Sequence, residues 1–207
     1  MLKKDKNWLK QNSYYGKTQI KVKINEDEKI ITLDELFENY NNTYVVIDEE
    51  LVKELAVDDS ENSSEELEYI EGVQEIDLSN NNIFVLDGNG SFVKLNRCLK
   101  HKRNNVEMFF IRTRSTNYKE TKSDGPIGFE QILVVTVDHQ VITKSGAKKK
   151  ISAIKIGDHL KGESQSGYQD MVVTEITEVD DEEYDEVYNI STNSGTFANG
   201  YLTVVGY

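Results

Sequence analysis

Apolar and polar residues alternate along many short stretches of the chain, while helical spacing is rare. Residues 18–24, TQIKVKI, place Ile20, Val22 and Ile24 two apart, the period of a half-buried strand. NEDE follows as a turn, and residues 29–32 resume as a second strand. The period then changes. LDELFENY spaces Leu33, Leu36 and Phe37 along one face of a short helix, with Thr32 as its N-cap and Glu35 as the capping-box partner. From Ile83 strands return as IFVL, then DGNG as a tight turn, then SFVKL, a hairpin signal. VEMFFIRTR (106–114), ILVVTV (132–137), VITK (141–144), DMVVTEITEV (170–179), EVYNIS (186–191) and GYLTVV (200–205) read as further strands, and KETKSDGPIG (119–128) as an exposed loop. A single proline and many Val, Ile, Thr and Tyr residues favour strands. The expected class is all-β with one or two short helices.

One segment breaks this pattern. Residues 57–82, VDDSENSSEELEYIEGVQEIDLSNNN, are rich in Ser, Asn and acid, a composition too polar to repay the entropy of ordering. The segment reads as a loop or linker, with a helical turn near 67–73. The formal net charge of −13 is concentrated here: Asp48 to Asp77 carries 13 carboxylates and one lysine, leaving −1 for the rest of the chain. The basic run Lys94, Arg97, Lys100, Lys102 and Arg103 reads as a solvated strand or turn, so no nucleic-acid partner is expected. The 207 residues, 37% of them hydrophobic, suit one domain or two small ones. No run approaches the roughly 18 apolar residues that span a bilayer, and MLKKDKNWLKQN lacks the apolar stretch of a signal peptide. A soluble, cytoplasmic chain with no membrane partner is therefore expected. The lone Cys98 excludes an internal disulfide and a multi-cysteine zinc site.

Standard catalytic sets are scarce. His101, His139 and His159 show no i, i+4 spacing and no cysteine cluster, so neither a metal nor another cofactor is expected. No G-x-S-x-G elbow and no glycine-rich phosphate loop is present. Taken alone, these residues describe a non-catalytic β-rich interaction module, with a hydrolase using Ser13 as a lesser reading.

Three separated stretches change that picture. Ser13 to Thr18 reads SYYGKT; Ile132 onward runs through Thr136-Val137-Asp138-His139 to AIKIGDHL (153–160); and Glu186 to Leu202 reads EVYNISTNSGTFANGYL. In this order, near both ends of a β-rich chain, they resemble the sequence blocks of the hedgehog–intein (Hint) family: a Cys or Ser opening, a T-x-x-H pair, and a closing stretch with F-x-A-N-G. The matching stretches are confined to these blocks, and the domain they imply covers residues 13–205. It implies a flattened, horseshoe-like all-β fold whose two ends meet at a central cleft, and it implies protein splicing, a single-turnover autocatalytic rearrangement in which the domain excises itself and joins its flanks.

By this resemblance Ser13 attacks the carbonyl of Asn12 and converts the peptide bond into an ester. Thr136 and His139 match the T-x-x-H pair, with His139 protonating the leaving nitrogen of Ser13, a role suited to an imidazole titrating near neutrality. The partners implied are the flanking extein segments. Residues 1–12 stand as an N-extein remnant, a tag or a spacer; LKQN before Ser13 is also similar to a helix of family B DNA polymerases, a common host. Residues 206–207 stand as a C-terminal junction or extein remnant. The stretch between the helix and IFVL is too short for a homing endonuclease, so a mini-intein is expected, or two fragments of a split intein fused near the acidic loop, the first ending near residues 39–42. A split form would have a complementary fragment as partner.

Departures from the family pattern are specific. Asn189 stands where an acidic residue assists the later steps. A histidine expected near Ser194 to Thr196 is absent. Val204 and Val205, or on a looser alignment Gly206 and Tyr207, stand where the family has His-Asn, placing the scissile junction around Val205 and Gly206 with no carboxamide to cyclise. The expectation is a precursor trapped before C-terminal cleavage.

Overall fold

The computed structural model describes residues 13–40, 44–46, 74–103, 106–121, 126–164, 167–180, 182–199 and 202–206. The QIKVKI alternation becomes strand β2 (Gln19–Ile24), which follows a two-residue strand β1 (Tyr14–Tyr15) and pairs with β3 (Asp27–Thr32). Ile20 and Val22 are fully buried, while Lys21 and Lys23 point outward to Glu28 and Glu26. Positive φ angles at Asn25 and Glu26 turn this hairpin, as a right-handed strand twist requires of a two-residue loop. Helix α1 (Leu33–Tyr40) starts on the capping box: Thr32 N–H donates to Glu35 Oε2 at 3.0 Å and Glu35 N–H to Thr32 Oγ1 at 3.4 Å. Its stripe of Leu33, Leu36 and Phe37 is buried.

Strands β4 (Tyr44–Val46), β5 (Gln74–Asp77) and β6 (Ile83–Leu86) lead to β7 (Phe92–Lys102), an eleven-residue strand that acts as a spine. One edge of β7 pairs first with β6 and then with β5. Beyond it come β8 (Met108–Ser115), β9 (Glu130–Thr136), β10 (Gln140–Ile142), β11 (Lys148–Lys150), β12 (His159–Ser164) and β13 (Gly167–Val179). The chain closes with β14 (Glu186–Thr192), β15 (Thr196–Asn199) and β16 (Leu202–Val205). The class is all-β, with one α-helix among the described residues. Among those residues no helix is long and apolar enough to cross a membrane.

The acidic segment needs one correction. Residues 57–73, including the helical turn expected near 67–73, lie outside the described residues. Residues 74–77, expected as linker, form β5 inside the sheet between β4 and β7. Ile76 and Leu78 are fully buried, and Glu75 pairs with Arg97 at 3.3 Å. A period-two apolar pattern at the end of the segment outweighs the average polarity of its window. Cys98 is buried in the core, and burial pushes its thiol pKa up.

Strand order runs β16-β12-β13-β8-β9-β1-β14-β7-β6-β2-β15, and β15 pairs back onto β16. The path therefore returns on itself. Short β1 lies between β9 and β14, with Tyr14 paired to both Val135 and Tyr188. The start of the described chain is thus held in the middle of the sheet rather than at an edge.

Candidate functional site

Strand alternation selects the residues that meet at Ser13. Tyr14 is opposite Tyr188 and Tyr15 is opposite Val187, and Val187 is in turn opposite His101 on β7. Side chains two residues apart share a sheet face, so Ser13, Asn189 and His101 project to one side from three adjacent strands. All three are buried. Asn189 Nδ2 donates to Ser13 Oγ at 3.3 Å, and His101 Nε2 lies 3.1 Å from the same oxygen.

The backbone of Ser13 is bound to Thr136. Ser13 N–H donates to Thr136 Oγ1 at 3.2 Å, and Thr136 N–H donates to the Ser13 carbonyl at 3.0 Å. Thr136 ends β9 and opens a tight turn in which its carbonyl accepts from His139 N–H at 3.0 Å. The four-residue spacing of Thr136 and His139 is thus a β-turn, with the hydroxyl on Ser13 and the imidazole beyond it. The His139 ring is fully buried and meets the Tyr14 ring edge-on, centroids 4.2 Å apart.

Tyr14 also reaches the other end of the domain. Its hydroxyl donates to the Val205 carbonyl at 2.6 Å, and its ring packs on Phe197 with centroids 5.0 Å apart. β16 lies beside β10, with Val204 opposite Val141, two residues past His139. Gly206 follows in a tight space: a side-chain carbon there would sit 3.2 Å from the Ile190 carbonyl oxygen and 3.3 Å from the Phe197 ring.

No protein-family model and no curated protein matches the sequence. Solved structures do match, over nearly the full length of both chains. An intein from a hyperthermophile superposes with a TM-score of 0.63 at 16% identity, covering 94% of this chain and 99% of that one. The transcription factor IIB Mvu mini-intein gives 0.60 at 14% identity, covering 94% and 99%. The KlbA intein precursor from Methanococcus jannaschii gives 0.58 at 16% identity, covering 94% and 92%. The chain has the Hint-type intein fold.

Within this intein fold, Ser13, Thr136 and Asn189 form one hydrogen-bonded cluster. His139 joins it through the Thr136 carbonyl and the Tyr14 ring, and Val205 through the Tyr14 hydroxyl. Asn12 lies outside the described residues. Two contacts have no counterpart in the sequence reading: Tyr14 as the link between the two ends, and His101 on the Ser13 hydroxyl. His101 Nδ1 faces the Lys102 carbonyl at 2.8 Å. A carbonyl only accepts, so Nδ1 carries the proton and Nε2 presents its lone pair to Ser13 Oγ. Burial lowers the His101 pKa, opposed in part by that carbonyl, and so favours the neutral ring.

Proposed function

We propose that the chain is a protein-splicing domain whose first step is an N-to-O acyl shift at Ser13. The observation that carries this reading is the meeting at Tyr14: the side chain next to Ser13 touches both the His139 ring and, 191 residues away in sequence, the Val205 carbonyl. A sheet built only for binding has no need to bring those three segments together. The intein fold supports the same reading.

In the proposed step, Ser13 Oγ attacks the Asn12 carbonyl and the bond to the Ser13 nitrogen breaks. Thr136 Oγ1 holds that nitrogen, and His139 supplies the proton it needs as it leaves. Asn189 donates to Oγ and cannot serve as a base. The flanking segments, joined at Asn12 and after Val205 or Gly206, are the substrates. With Val204-Val205 or Gly206-Tyr207 at the positions of the family's His-Asn pair, neither alignment supplies a side-chain amide to form a succinimide.

Hydroxylamine tests this directly, because it cleaves esters far faster than amides. Incubation should release residues 1–12, with mass spectrometry locating the break before Ser13, and Ser13→Ala should abolish the release. Asn placed at position 205 with Ser after it, alone or with Asn189→Asp, should add C-terminal cleavage. Hydroxylamine-resistant protein with an intact fold would end the reading.

A further inference from the structure

Thr136 Oγ1 holds the nitrogen that leaves and the reading above gives His139 its protonation, which leaves open what removes the proton from the oxygen that attacks. A serine hydroxyl is a weak nucleophile at neutral pH and is activated by an adjacent base. We propose that His101 is that base: its Nε2 takes the Ser13 hydroxyl proton as Oγ adds to the preceding carbonyl. The proposal rests on the acyl-shift reading above and assigns it a further catalytic residue.

The geometry is specific at each atom. The 3.1 Å separation of Nε2 and Oγ is within reach for direct proton transfer. The Lys102 carbonyl fixes the tautomer in which Nε2 is the acceptor. Asn189 Nδ2 donates to the same oxygen at 3.3 Å; its donation occupies one lone pair and leaves the hydroxyl hydrogen directed at His101. Neither Asn189 nor Thr136 has the basicity to take a proton, so among the groups shown on Ser13 the imidazole alone suits the task.

The step balances without a co-reactant. An O–C bond forms to the Asn12 carbonyl carbon as its C–N bond breaks. The hydroxyl proton passes to His101 Nε2, the departing nitrogen takes one proton from protonated His139 to become an amine, and proton exchange with solvent returns both rings to their starting states. The net change is an isomerisation.

A comparison of two nucleophiles separates this role from simple packing. Hydroxylamine cleavage before residue 13 is timed at saturating trap in the parent chain and in Ser13→Cys, each with His101, His101→Gln or His101→Asn. Gln keeps a hydrogen-bonding group near Nε2 and Asn one near Nδ1, and thermal melts report whether each variant folds. General-base removal should slow the Ser13 chain by about 100-fold or more. A thiol is a few per cent ionised near neutral pH unaided, so the Ser13→Cys chain should lose less than about 5-fold. Equal losses in both chains, or no loss with Ser13, would overturn the proposal. If neither Ser13 nor Cys at position 13 yields cleavage while His101 is intact, the acyl-shift reading fails and this proposal fails with it.

Discussion

Removing one oxygen from Tyr14 should loosen the join between the two ends of the domain and spare the chemistry proposed at Ser13. The Tyr14 ring is fully buried against His139 and Phe197, and its hydroxyl gives a 2.6 Å hydrogen bond to the Val205 carbonyl. Tyr14→Phe keeps the ring contacts and deletes only that bond. A made hydrogen bond contributes about 1 kcal/mol net, and a carbonyl left unpaired away from water raises the loss to about 1–3 kcal/mol. For a domain of this size, each kcal/mol lowers Tm by about 2–4 °C. Urea unfolding and thermal melts should therefore show a lower midpoint with an unchanged m-value. Hydroxylamine cleavage at Ser13 should persist within a few-fold, because the groups on Ser13 come from β7, β9 and β14 rather than from β16. An unchanged midpoint would show that the Tyr14–Val205 contact does not tie the ends together, and loss of cleavage would show that the ring position depends on the bond.

Two further outcomes follow from contacts elsewhere. Asp158 accepts from Lys149 Nζ at 2.6 Å and from Lys155 N–H at 2.8 Å; the Lys149 ammonium first, then that amide, hold its carboxyl below the usual range. Its stabilising effect is complete above the unfolded value of about 3.9 and disappears as pH falls through the lower folded value, so Asp158→Asn should flatten the acid limb of a stability–pH profile; an unaltered limb would refute this. Chains cut between residues 56 and 57 should associate when mixed, because β1 pairs with β9 and β14 and β2 with β6 and β15 across the cut. Size-exclusion chromatography showing two independent species would count against it.

Local patterns were readable in the sequence, and long-range ones were not. QIKVKI and LDELFENY carry their strand and helix in their own spacing, and the Thr32–Glu35 cap needs only neighbours. β1 is a strand only because β9 and β14 flank it, so two residues could not announce it. β7 runs well beyond the five residues that alternate in SFVKL, since its buried positions Leu95, Cys98, Leu99 and His101 follow no simple period. The glycine of DGNG at position 88 reads as turn chemistry, yet it also serves close approach: a side-chain carbon there would lie 2.7 Å from Thr203 Cβ on β16. At the site, Thr136 and His139 form a local motif and were legible. His101 read only as one of three histidines without metal-ligand spacing, because its place beside Ser13 depends on the register of β14 between β1 and β7.

Burial of the Ser13 nitrogen bears on where the proposed shift comes to equilibrium. When the ester forms, that nitrogen changes from an amide to an α-amine, whose ordinary pKa of about 7.7–8.0 would leave it largely protonated in water at neutral pH. Here Ser13 is 1% exposed and its nitrogen faces only the Thr136 hydroxyl among the bonds shown. A dry pocket disfavours the ammonium, and an amine kept neutral retains the lone pair with which to attack the ester and re-form the amide. The same enclosure that aligns the forward attack therefore favours the return. The ester would be a minor, rapidly exchanging species, drawn forward only by a reagent or a downstream nucleophile that captures it.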